Sequence, residues 1–142
     1  MINVYKKGSD FERDIARLLT KTTKHKWHRV PCSGALAQNR QDHTFHGDIY
    51  CDNDKLKIIH VECKAWKDIS ITEPYSEKSK LLNTIHKTIK QSMGNPWVVI
   101  IKVNNKGIFT VTESVDILIT LGLPGNDLYI AGKYVLRKVT MC

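Results

Sequence analysis

The chain has 142 residues, 42% of them hydrophobic and 25% charged, the size and balance of one globular domain with a core of its own, which excludes a disordered or fibrous protein. No apolar run approaches the ~18–20 residues that span a bilayer. The start "MINVYKKGSDFER" lacks the apolar stretch of a signal peptide, and the four cysteines form no CxxC pair, so reduced thiols in a cytosol are expected.

The net charge of +8 is concentrated: residues 1–40 hold nine basic groups against three acidic ones. A field of that sign attracts polyanions, of which nucleic acid is the commonest in a cytosol; the plainer reading is solubility. Ser9 and Glu12 have the S-x-x-E spacing of a capping box, and Phe11, Ile15, Leu18 and Leu19 recur at helical spacing, predicting an amphipathic helix over 10–22. Lys21, Lys24 and Lys26 read as a general cationic face. "WHRVPCS" (27–33) reads as a strand, and the polar stretch 34–46 as a long loop.

"GDIYC" (47–51) alternates, with Ile49 and Cys51 on one face and Asp48 and Tyr50 on the other, and "DND" (52–54) is turn chemistry. In "LKIIHVECKAW" (56–66) the strand period puts Ile59, Val61, Cys63 and Ala65 on one face and His60, Glu62 and Lys64 on the opposite one. These two runs are expected to pair as a hairpin. A helix over 76–93 follows, stopped at Gly94-Asn95-Pro96; "WVVIIKV" (97–103) is apolar enough for a central strand, "GIFTVT" (107–112) is its hairpin partner, and a short helix over 114–121 ends at Gly122. One or two short strands close the chain. The order α-β-β-β-α-β-β-α describes a single α/β domain over residues 1–142, with helices flanking a mixed sheet.

An aspartate, a glutamate and a lysine on strands otherwise built for burial need an explanation. Should the polar faces of the two arms coincide, Asp48 and Glu62 bring two carboxylates together with Lys64. Such a pair repels unless a cation sits between its members. Mg²⁺, a hard ion with oxygen ligands that keeps several waters, meets that need. It would activate a water and stabilise charge on a phosphate oxygen, with Lys64 orienting the attacking water. Beside a basic surface, this chemistry suits phosphodiester hydrolysis; the competing reading is a solvated strand face. Cys32, His43, His46, Cys51, His60 and Cys63 offer soft ligands, but their spacing matches no familiar zinc pattern, and Cys51 and Cys63 fall on apolar strand faces.

Asp48 followed by Glu62-x-Lys64 resembles the PD-(D/E)XK nuclease superfamily, with Gly47-Asp48 in place of Pro-Asp; "ECK" is the only [DE]-x-K in the chain. The succession "KKGSDFERDIARLL", "HRVPCSGA", "GDI" and "VECKA" is similar in order and spacing to archaeal-type Holliday-junction resolvases and their phage-encoded relatives, over residues 6–65. The resemblance implies a restriction-endonuclease-like core, Mg²⁺ (with Mn²⁺ as a substitute) and four-way DNA junctions as substrate; such a junction has two equivalent strands to cut, so a two-fold homodimer is expected. It implies Asp48, Glu62, the Cys63 backbone carbonyl and the helix residue Glu12 as metal ligands, and Lys64 as the water-positioning group. Arg13, Arg29, Ser33, Arg40, Lys6 and Lys7 would meet DNA, and Gln91 is an accessory polar residue beside the site. Two other readings stay open: a repair or restriction-type nuclease, and a nucleic-acid-binding module without chemistry.

Overall fold

The computed structural model describes residues 4–30, 47–67, 80–130 and 133–140. Helix α1 (Val4–Thr23) buries Phe11, Ile15, Ala16 and Leu19 in one stripe. It stops at Lys24, whose backbone turns left-handed at φ 65°. Thr20 and Thr23 at its end then receive the backbone N–H and the indole N–H of Trp27, at 2.9 and 3.0 Å, and fix the entry into strand β1 (Trp27–Arg29). β1 pairs antiparallel with β2 (Ile49–Cys51) as a small separate sheet.

The main sheet is built from β3 (His60–Trp66), β4 (Trp97–Val103), β5 (Gly107–Thr112), β6 (Gly125–Ile130) and β7 (Tyr134–Val139) in the order β3-β4-β5-β7-β6. β3 and β4 run parallel, joined by a crossover that includes helix α2 (Lys80–Ser92); the other pairs are antiparallel. The last helix, α3 (Val115–Leu121), runs from the Ser114 cap to Gly122, left-handed at φ 70°. One apolar layer joins α1 and α3 to Val61, Cys63, Val98 and Ile100; the other joins Leu81 and Ile85 of α2 to Trp66, Trp97, Val99 and Ile101. The mixed sheet is thus covered by helices on both faces, and β4, buried on both, is internal as its sequence predicts. Trp66 and Trp97 are core anchors.

Two expectations are corrected. α1 begins well before residue 10, so Ser9 and Glu12 lie inside the helix and form no capping box. Nor do 47–51 and 56–65 make a hairpin. Residues 53–59 form a helical turn, with Lys57 N–H on Asn53 O at 2.8 Å and Ile59 N–H on Leu56 O at 3.1 Å, and β3 starts only at His60. Leu56 and Ile59, three apart, are buried while Ile58 is exposed, the burial pattern of a helix and not of a strand. The chain therefore returns with Gly47 bridging Val61 in parallel, on the outer edge of β3. The strand end and loop read over 31–46 lie outside the described residues.

Candidate active site

Asp48 is held by its backbone before its side chain does anything. Its N–H donates to Val61 O and its carbonyl accepts from Val30 N–H, both at 2.9 Å, which ties the small sheet to the edge of the large one. From there its carboxylate Oδ2 accepts the Cys63 N–H at 2.9 Å. A strand residue presents its N–H and C=O to the same side, so the Cys63 carbonyl also faces the Asp48 edge. Glu62 and Lys64, next to Cys63 and registered against Val99 and Ile101, emerge on the α2 face. The Lys64 ammonium is 3.7 Å from Glu62 Oε1, and the buried His60, two residues before, puts Nε2 3.4 Å from Glu62 Oε2.

The two carboxyl groups differ in protonation. Burial first, then the charge of Glu62, pushes Asp48 up to about 7; the Cys63 N–H opposes this and Glu12 adds to it. Glu62 is itself desolvated, but the hydrogen bond from His60, the charge of Lys64 and a hydrogen bond from Asp48 bring it below the ordinary range. Below neutrality the pair therefore holds one proton, mostly on Asp48, which hydrogen-bonds Glu62. This is the signature of two carboxylates short of a cation. Asp48, Glu62 and the Cys63 carbonyl are all hard oxygen donors, the set that suits a divalent ion which keeps several waters. Among the described residues no three His, Cys, Asp or Glu side chains gather into a cage that could hold a metal alone.

Glu12 stands beside this pair and is held by Arg29, whose Nε donates to its Oε2 at 2.6 Å while Nη2 donates to Ser9 Oγ at 2.9 Å. Both residues of the supposed capping box are thus partners of one arginine, twenty positions from Ser9 and seventeen from Glu12. A match to the family model described as "Phage putative PDDEXK endonuclease" covers residues 3–132, all of the site included. The chain belongs to that family. Curated proteins and solved structures give no significant match. Membership places the protein among the PD-(D/E)XK nucleases, which typically use divalent metals, and the mixed sheet between helices is consistent with their restriction-endonuclease-like fold.

Within this PDDEXK endonuclease the sequence-derived candidates separate. Asp48, Cys63, Glu62 and Lys64 converge, with Glu12 bearing on them electrostatically and Arg29 acting through Glu12. Gln91 lines the same hollow of about 330 Å³ as Glu62 and Lys64, across from β3 on α2. Arg13 instead points outward, 3.4 Å from Asp10. Ser33, Arg40 and the side chains of Lys6 and Lys7 lie outside the described residues. Sequence reasoning weighed His60 only as a soft metal ligand and gave it no part in the carboxylate site, although its alternation with Glu62 and Lys64 was visible; nor did it give a role to Lys80, Asn83, Thr84 and Lys87, which line the hollow at helical spacing.

The glycine that replaces the superfamily's proline has a steric reason. Gly47 has φ +75°, and a Cβ there would lie 2.2 Å from Val61 O. Gly47→Ala is expected to cost roughly 1–3 kcal/mol in urea unfolding and to lower cleavage by moving Asp48. Gly8→Ala, with nothing within 4 Å of the added methyl, is expected to be neutral or stabilising. Equal stability of the two variants would contradict the tight bridge.

Proposed function

We propose that this protein is a Mg²⁺-dependent, structure-specific DNA endonuclease, a single nuclease domain that resolves four-way junctions by paired nicks. The observation that carries the chemistry is the Asp48 carboxyl, fixed on the Cys63 N–H against Glu62, with Lys64 alongside. Asp48, Glu62 and the Cys63 carbonyl would hold the ion. Held there, Mg²⁺ would supply Lewis acidity, to activate a water and to offset charge on the scissile phosphate. Lys64, 37% exposed at its side chain, reaches solvent and hydrogen-bonds the attacking water. His60 keeps the Glu62 carboxylate ionised and oriented, while Arg29 holds Glu12 so that its charge is balanced when Asp48 ionises. Arg13 and the basic residues at 6, 7 and 40 meet the DNA backbone.

The junction is supported by the ordered resemblance over residues 6–65, and a junction has two equivalent strands to cut. A two-fold homodimer is the simplest body that presents two sites to them. The test is a synthetic four-way junction against a linear duplex of the same arms, both in Mg²⁺. Paired, symmetric nicks on the junction with at least about tenfold preference over duplex (~1.4 kcal/mol) are expected. Equal rates would reassign the protein to a repair or restriction-type nuclease, and binding without cleavage to a module that only binds.

A further inference from the structure

On the other side of Arg29 from Glu12 lies a second hollow, of about 510 Å³, between α1 and β1. Its walls carry Arg13, Arg17 and Lys21 from one face of α1 and Lys26 and Arg29 from the chain that follows, and no carboxylate lines it. Asp10 and Asp14 pair with Arg13 and Arg17 only outside it, at 3.4 and 3.9 Å between exposed side chains, contacts that salt or a polyanion displaces at little cost. Beside Ala16 and Thr20, its remaining lining is aromatic: Trp27, His28 and Tyr50. His28 and Tyr50, directly opposite across the β1–β2 pair, stack with ring centroids 5.2 Å apart and planes 32° apart, both half-buried.

Surface lysines alone would serve solubility. A cationic trough with a two-ring platform on its wall is instead the combination that holds an unpaired strand: cations follow the phosphates while a base lies on the rings. A hollow of about 510 Å³ is on the scale of a short unpaired segment. Resting on the endonuclease reading above, we propose that the α1–β1 groove is a second DNA subsite, binding a short unpaired or unstacked stretch of the strand that leads to the scissile phosphate. Arg17, Lys21 and Lys26 contact its phosphates, and one base stacks on His28. Arg29, shared by the groove and the Glu12 clamp, makes the two sites continuous. The substrate class this selects is branched DNA with unstacked bases at the branch.

Fluorescence anisotropy with a labelled oligothymidylate and a short duplex, in EDTA so that nothing is cut, tests this. Lys21→Gln/Lys26→Gln is expected to weaken oligothymidylate binding about tenfold and to reduce the slope of log K against log salt by about 1.4, two phosphates at ~0.7 each. His28→Ala is expected to lose about tenfold with the slope unchanged, and His28→Phe to regain wild-type affinity. A merely structural contact of His28 with Asp52, at 3.2 Å, would not be rescued by phenylalanine. Wild-type affinity and slope in the lysine variant, or wild-type affinity in His28→Ala, overturns the groove. Variants that show these binding losses, beside a wild-type protein that cuts no DNA in Mg²⁺, overturn the nuclease reading alone; a wild type that cuts, with variants that bind normally, overturns the groove alone.

Discussion

Asp48→Asn is expected to lower DNA cleavage by about a thousandfold or more and, in the same preparation, to raise the melting temperature of the metal-free protein at pH 8. The first effect follows from removing a ligand charge from the proposed metal site, where an ion would supply several kcal/mol of transition-state stabilisation. The second follows from the electrostatics of the empty pair. Asp48 is pushed up to about 7 by burial and by Glu62, so above that pH the folded protein carries two desolvated like charges side by side. Asparagine keeps an oxygen for the Cys63 N–H and removes one charge. Roughly 1–3 kcal/mol of stability should be gained, about 2–4 °C per kcal/mol for a chain of this size. Glu62→Gln should abolish cleavage as fully without that gain, because His60 and Lys64 favour the ionised Glu62. Calorimetry in EDTA beside a nicking assay measures both. A less stable Asp48→Asn that still cuts DNA would remove Asp48 from the metal site.

How much of this was legible depended on whether a residue's role was set nearby. The β4–β5 hairpin, α3 between Ser114 and Gly122, and the alternation of His60, Glu62 and Lys64 were readable, since strand period, caps and turns act over a few residues. Ser9 and Glu12 were misread as a cap because their spacing satisfies that local rule. Their actual partner, Arg29, comes from a strand that only the tertiary fold brings up. Leu56–Ile59 was read as strand because a short apolar run fits a period of two and of 3.6 alike; the Asn53 carbonyl, accepting from two later N–H groups, decides between them. Asp48 and Glu62 meet nonetheless. A parallel bridge at Gly47 and a hairpin both set the aspartate against the same edge of β3, so the site survived an error in the topology that was to build it.

Adding Mg²⁺ is expected to stabilise the wild-type protein at pH 8 and to do almost nothing at pH 5. At ten times its Kd an ion adds about 1.4 kcal/mol, or about 3–6 °C here. The sign of the pH dependence follows from Asp48, whose folded pKa of about 7 lies above the ordinary carboxyl value of 3.8. Its contribution to metal-free stability is complete below about 4 and is lost as pH rises through 7, where the carboxyl must ionise against Glu62. Glu62, held low by His60 and Lys64, works oppositely, losing its contribution only on acidification below its own range. Between pH 5 and 7 Asp48 therefore governs: the metal-free protein weakens as pH rises. Because the ion must displace the Asp48 proton, its apparent affinity climbs about tenfold per pH unit up to about 7 and then levels off. Thermal melts with and without Mg²⁺ across this range read both limbs, and Asp48→Asn should flatten them. An equal Mg²⁺ response at pH 5 and pH 8 would mean that Asp48 is already ionised at pH 5, with Cys63 and Lys64 sufficing to hold its charge. The pair would then have no deficit of positive charge for a metal to fill.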